Sequence, residues 1–221
     1  TIPYDFDTLE AKFQLSFKAD IGSQGNINFL GLKTLRLWGA YTQQSNWQMF
    51  NTNNSAMFRE TNYEPEVIFS LRTDTGLPGM RWRMLNLGLA HQSNGRGLPL
   101  SRSWNRVYAQ FGLERDHLSL LLRPWLRLPE RSEKDDNPDI TRYMGNGDVL
   151  INYRSGENVY SALGRYNLGS GHGALQLSWA FPIARALKGY MQLFSGYGES
   201  LIDYNHNQTS IGLGLSLQEW R

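Results

Sequence analysis

The sequence predicts an all-β fold: a transmembrane antiparallel β-barrel of twelve strands, eleven of them readable in the 221 residues. Three observations point there. Apolar and polar residues alternate with period two in segment after segment. Each segment is about ten residues long, the length that crosses a bilayer when tilted. The connections alternate between short turns and longer loops, the habit of bacterial outer-membrane barrels. No apolar run approaches the roughly 18 residues of a membrane helix, and the chain, 1–221, reads as a single barrel domain.

The strands follow in order. Phe13, Leu15, Phe17 and Ala19 alternate with Lys12, Gln14, Ser16, Lys18 and Asp20. Leu35, Leu37, Gly39, Tyr41 and Gln43 share a face, and Val67, Phe69 and Leu71 oppose Glu66, Ser70 and Arg72. Then come Leu85, Leu87, Leu89, His91 and Ser93, and after them Asn105, Val107, Ala109, Phe111 and Leu113. Leu118, Leu120, Leu122 and Leu126 face away from Ser119, Arg123 and Arg127. Val149, Ile151 and Tyr153 oppose Asp148, Asn152 and Arg154, and Tyr160, Ala162 and Tyr166 oppose Ser161 and Arg165. Leu175, Leu177, Trp179 and Phe181 oppose Gln176 and Ser178, and Leu187, Met191 and Leu193 follow less cleanly. Ile211, Leu213, Leu215 and Leu217 close the series, and no segment reads as a helix.

Strand parity adds an expectation. The last strand ends on the short-turn side, so the strand at 12–20 begins on the long-loop side. Single-chain bacterial barrels have an even strand count with both termini on the short side. A first strand is therefore expected upstream of Thr1. Trp220 is followed by Arg221, a departure from an aromatic last residue.

Composition narrows the function. Charged residues are only 19% and the net charge is +2, too little concentrated basic surface for nucleic acid as the main partner. With 0 Cys, disulfides, thiolate catalysis and a zinc ribbon are excluded. A soluble lipocalin-like barrel would hold its apolar face inward. Here Lys, Arg, Glu, Asp, Gln and Asn recur on the second face of nearly every strand, and a polar interior with an apolar exterior needs lipid outside.

One constellation suggests chemistry. His91 and Ser93 leave one strand face, with Cα atoms roughly 6.6 Å apart. That face continues Leu85, Leu87 and Leu89, the lipid side, and runs roughly 26 Å to Ser93, nearly the height of the ~25 Å apolar band. Both residues therefore sit outside the barrel at the long-loop edge. If His91 opposes Asn105 across the hairpin, then 89 meets 107, 87 meets 109 and 85 meets 111, all apolar pairs that a one-residue slip would destroy. Opposed Cβ atoms lie ~4.5–5.5 Å apart, within hydrogen-bond reach for an amide and an imidazole. Ser93 then suits a nucleophile, His91 a general base and Asn105 the group that fixes the imidazole. The backbone N–H of Gly95 suits an oxyanion donor. The spacing alone equally fits a solvated strand-end His, a turn Ser and an interfacial Asn. Three polar residues interrupting two apolar faces at one spot favour the chemical reading.

The segments His-Gln-Ser-Asn-Gly-Arg (91–96) and Ser-Arg-Ser-Trp-Asn-Arg (101–106) closely resemble outer-membrane phospholipase A. So do Phe-Arg-Glu-Thr-Asn-Tyr-Glu-Pro (58–65), Asp-Asp-Asn-Pro-Asp-Ile-Thr (135–141) and Ser-Gly-Tyr-Gly-Glu-Ser-Leu-Ile-Asp-Tyr-Asn (195–205). The resemblance spans nearly the whole chain. It implies a twelve-stranded barrel in the bacterial outer membrane that hydrolyses phospholipid and lysophospholipid acyl esters (A1, A2 and lysophospholipase activities), with Ca²⁺ as cofactor. His91, Ser93 and Asn105 fall on the family's catalytic positions. Arg96, through its main-chain oxygen, and the Ser101 hydroxyl fall on its calcium positions. Ser55, supplied by the partner of a homodimer, would complete that site, and Thr61 would lie near the ion. Gln43 falls where the family pairs a Gln between two barrels. Some members carry an acidic residue where this chain has Gln92, a position expected to face the lumen.

Three alternatives stay open at this level. Asp135, Asp136 and Asp139 offer a rival cation site, which a solvated extracellular loop explains as well. A passive pore would place function in the lumen, and an adhesin would use loop 129–139.

Overall fold

A computed structural model describes residues 5–24, 33–184 and 187–217. Eleven strands run β1 (Ala11–Gln24), β2 (Thr34–Trp47), β3 (Phe58–Leu77), β4 (Met80–Ser93), β5 (Ser103–Arg115), β6 (Leu118–Leu128), β7 (Gly147–Ser155), β8 (Asn158–Asn167), β9 (His172–Ala184), β10 (Leu187–Tyr197) and β11 (Asn207–Ser216). They form one sheet in chain order, and every neighbouring pair is antiparallel. β1 and β11 are not paired with each other among the described residues. The strand expected ahead of Thr1 falls outside the described residues, as do Trp220 and Arg221.

The pleat is inverted relative to a soluble protein. Leu213 is 77% exposed, whereas Glu60 is 1% exposed. Leu15, Phe17, Leu89 and Leu126 face out, while Asn46, Asn62 and Arg106 are buried. This excludes the lipocalin-like alternative, because water on that exterior would leave a large apolar surface unburied.

The inward polar groups pair with one another across the sheet's curvature. Arg59 bridges Glu10 and Asp203. Arg106 meets Glu64 at 2.9 Å, and Arg123 meets Asp148 at 2.6 Å. Lys12 reaches Glu199 at 3.3 Å, linking the first strand to the connection after β10. Burying such groups unpaired would cost several kcal/mol each, of order 1–3 for a lost hydrogen bond and more for a charge.

Two features depart from the sequence expectation. β3 is 20 residues long and starts at Phe58, well before the alternation at 66–72. Its extra length carries Glu60, Asn62 and Glu64 inward, but its outward row there is Thr61, Tyr63 and Pro65, which conceals the period. A short helix, α1 (Ile140–Met144), follows the charged loop where no helix is expected. Ile140 and Met144 are buried with Trp104, Trp125, Leu201 and Tyr204, so an apolar cluster gathers at the long-loop end of an otherwise polar interior. Part of the loop at 129–139 is folded down, with Asn137 buried and Arg127 paired with Asp135 at 2.6 Å, while 131–134, 138 and 139 stay exposed.

Candidate active site

The site is built on the β4–β5 ladder. His91 stands opposite Asn105, with 89 opposite 107, 87 opposite 109 and 85 opposite 111. Leu87, Leu89, Val107 and Phe111 are exposed on the outer wall, and Ala90, Trp104 and Arg106 are buried on the other face. Period two therefore places His91 and Asn105 on the lipid-facing side. His91 Nδ1 lies 2.9 Å from Asn105 Oδ1. Ser93, two residues on, ends β4 opposite Ser103 of β5 and Tyr63 of β3. No hydrogen bond joins Ser93 to His91 in this conformation among the described residues.

Gln92 faces inward as expected: its Oε1 accepts from Trp104 Nε1 at 2.8 Å. The next residue but one organises the loop that follows. Asn94 is buried, donates to the Leu100 carbonyl at 2.8 Å and accepts from the Arg102 amide at 2.9 Å. Its side chain thus ties both ends of 94–102 together. Gly95 has φ +64, and a Cβ there would come within 3.1 Å of the Tyr63 ring, so both conformation and space demand glycine.

Arg96 and Ser101 sit on this same loop. The Arg96 guanidinium turns back to Glu60 at 3.6 Å and donates to the Phe58 carbonyl at 3.1 Å. The Ser101 hydroxyl donates to Asp136. A carboxylate thus stands beside a loop that itself carries none, an approach from 35 residues away that strand periodicity does not reveal. Ser55 is exposed in the β2–β3 connection with φ +57, and among the described residues no hydrogen bond joins it to Arg96 or Ser101. The Thr61 hydroxyl lies 3.2 Å from Ser45 Oγ. Gln43 is satisfied within its own strand, accepting from Tyr41 at 3.1 Å and donating to Ser45 at 3.4 Å.

The rival cation site is not assembled. Asp135 is taken by Arg127, Asp136 by Ser101, and Asp139 by the Tyr204 hydroxyl at 2.7 Å. Burial, and then that contact with Asp139, pushes the Tyr204 phenol above its ordinary value. No cluster of three acidic, His or Cys side chains suited to a metal occurs among the described residues.

One residue of the site escapes the sequence entirely. Glu130, two residues beyond the end of β6, accepts a hydrogen bond from Asn105 Nδ2 at 3.0 Å. His91, Asn105 and Glu130 therefore form a continuous chain on the outer wall.

Known proteins share this architecture. A family model described as phospholipase A1 matches residues 2–217. A putative phospholipase A1 of Neisseria meningitidis is 47% identical over 215 residues, covering 95% of this chain and 55% of that protein. The phospholipase A1 of Escherichia coli K12 is 42% identical over 212 residues, covering 95% of this chain and 70% of its own length. The chain thus spans little more than half the length of the Neisseria relative. Among solved structures, outer membrane phospholipase A from Escherichia coli superposes with a TM-score of 0.87 at 41% identity, covering 95% of this chain and 79% of that one. A Salmonella typhi outer membrane phospholipase, solved as a dimer with bound calcium, has the same TM-score, identity and coverage. The chain belongs to the phospholipase A1 family and, with the barrel fold of these relatives, to the bacterial outer membrane.

Proposed function

We propose that this chain hydrolyses acyl esters of phospholipids and lysophospholipids with Ser93, His91 and Asn105 on its lipid-facing wall. The observation that carries the proposal is the 2.9 Å contact of His91 Nδ1 with Asn105 Oδ1, outside the barrel where acyl chains lie.

With Nδ1–H held by the Asn105 oxygen, His91 Nε2 keeps its lone pair and acts as the base. Ser93 Oγ attacks the ester carbonyl carbon as His91 takes its proton. The carbonyl π electrons move onto oxygen, and the Gly95 N–H donates to that oxyanion. The C–O bond to the leaving group then breaks, His91 protonates the departing lysolipid, and an acyl-Ser93 ester remains. Water, deprotonated by His91, attacks this ester and releases the fatty acid.

The donor set fits calcium. The Arg96 main-chain oxygen, the Ser101 hydroxyl and the adjoining Asp136 carboxylate are all oxygen ligands of the kind this ion takes. When bound, the ion supplies positive charge close to the developing oxyanion. The Salmonella relative, a dimer with calcium, supports a homodimeric active state in which Ser55 of the partner subunit adds a ligand, Thr61 lies nearby and Gln43 pairs between barrels. The site then opens at the outer leaflet.

A passive pore is the weaker alternative, because a buried apolar cluster of Trp104, Trp125, Ile140 and Leu201 sits at the long-loop end of the polar interior. The deciding experiment is a calcium-dependent lipase assay on detergent-solubilised protein, with labelling by a serine-reactive sulfonyl fluoride. Calcium-dependent release of fatty acid with label on Ser93 is the expected result. Hydrolysis without calcium, or label elsewhere, overturns it.

A further inference from the structure

We propose that Glu130 is a positioning residue for the catalytic imidazole, acting through Asn105. This rests on the triad proposed above and extends it by a fourth member.

The placement follows from register. Asn105 pairs with Leu128 at the end of the β5–β6 ladder. Pro129, which has no N–H, stops the ladder there. Residue 130 shares parity with Leu126 and Leu128, both exposed on the outer wall. A carboxylate that continues a lipid-facing row is costly unless it is paired. Its partner is Asn105 Nδ2 at 3.0 Å.

That pairing settles a chemical ambiguity. A carboxamide has an acceptor oxygen and a donor NH₂ of nearly the same shape, and either end can face a histidine. An ionised carboxylate only accepts, so it selects the NH₂ end of Asn105. The oxygen is then left for His91, which must present Nδ1–H, and the lone pair stays on Nε2. With the amide turned over, its NH₂ would donate to Nδ1 and the proton would sit on Nε2. That tautomer cannot deprotonate Ser93. The charge-assisted bond also polarises the amide and strengthens its oxygen as an acceptor. A neutral Asn thereby recovers part of the negative character that an Asp would bring to the imidazolium.

The loop around Glu130 has anchors of its own. Arg127 with Asp135 and Ser101 with Asp136 hold it whether or not Glu130 is present. A change at 130 is therefore separable from loss of the loop.

The test uses the full chain in detergent micelles with saturating calcium. Glu130→Ala, Glu130→Gln and Asn105→Ala are compared singly, with Glu130→Ala/Asn105→Ala as the double variant. Losing one hydrogen bond to a charged group corresponds to a fall in kcat of about tenfold or somewhat more, with KM nearly unchanged. Glu130→Gln should recover part of that loss, because its Oε1 still accepts from Nδ2. Because Glu130 acts through Asn105, adding Glu130→Ala to Asn105→Ala should lower kcat no further. Glu133→Ala, an exposed acid of the same loop, should match the parent. A parental kcat in Glu130→Ala, or a full additional loss on top of Asn105→Ala, overturns the proposal. Ser93→Ala run in parallel separates the two levels. If it stays active, the triad itself is wrong; if it is inactive while Glu130→Ala is at the parental rate, only the role of Glu130 fails.

Discussion

Asn105 stands directly across the β4–β5 ladder from His91, with its Oδ1 2.9 Å from Nδ1. Two adjacent strands thus hold the imidazole by a ladder whose outward pairs below it, 89 with 107, 87 with 109 and 85 with 111, are all apolar. A one-residue slip of β4 would turn His91 inward and take Leu85, Leu87 and Leu89 away from lipid, so the same hydrophobic pairs guard the register and the placement of the imidazole.

Replacing Ser93 with Ala removes the proposed nucleophile and leaves the wall intact. Turnover of a phospholipid ester should fall by at least ~10³-fold. Heat-resistant migration of the folded barrel on gels should be unchanged. Retained hydrolysis would remove Ser93 from the mechanism.

Asn105→Ala should be milder, because it removes orientation while nucleophile and base remain. A loss of about 10- to 100-fold in kcat is expected. Steady-state kinetics beside Ser93→Ala checks this. Equal losses would mean that Asn105 does more than orient.

Calcium removal should stop activity, and titrating the ion back should restore it. Ser101→Ala and Asp136→Asn should each shift the half-activating calcium concentration upward, about tenfold for loss of one hard ligand. An unchanged titration in both variants would place the ion elsewhere.

Gln43→Ala should weaken self-association without altering the fold of one barrel. Polar contacts between membrane-embedded segments are worth about 0.6 kcal/mol on average, up to ~1.7. Sedimentation in detergent with calcium measures the monomer–dimer constant. The change should be small, since Gln43 is already bonded to Tyr41 and Ser45 within its strand.

Acid should loosen the rim through Glu10, just before β1. Burial alone would raise its carboxyl, but Arg59 beside it and the amides of Gln48 and Asn46 outweigh that and hold it below the usual range. A depressed folded-state value stabilises above the ordinary carboxylate value, and that stabilisation is lost as pH falls through the depressed one. The stability gap between the parent and Glu10→Gln should therefore be open near neutrality and close in acid. Unfolding curves across that range test it, and a gap that widens in acid would contradict the sign.

The strands and their alternating faces were legible because a barrel wall has one solvent on each side, so every residue reports its face by polarity. The same alternation made the β4–β5 register readable, since a single alignment pairs apolar with apolar down the wall. Where the outward row is Thr61, Tyr63 and Pro65, polarity stops reporting, and the start of β3 is hidden. Helix α1 is too short to show a period; its two buried residues gain meaning only against Trp104, Trp125 and Leu201.

The linear chain by itself determined the sheet, its two faces and the meeting of His91 with Asn105, because all three follow from local periodicity and one short hairpin. Only the folded molecule decided which acids attend that pair: Glu130 reaches Asn105 from a neighbouring strand's end and Asp136 reaches Ser101 from within a long connection. Loops carry no repeating pattern, so the contacts they make depend on how the whole rim closes rather than on spacing along the chain.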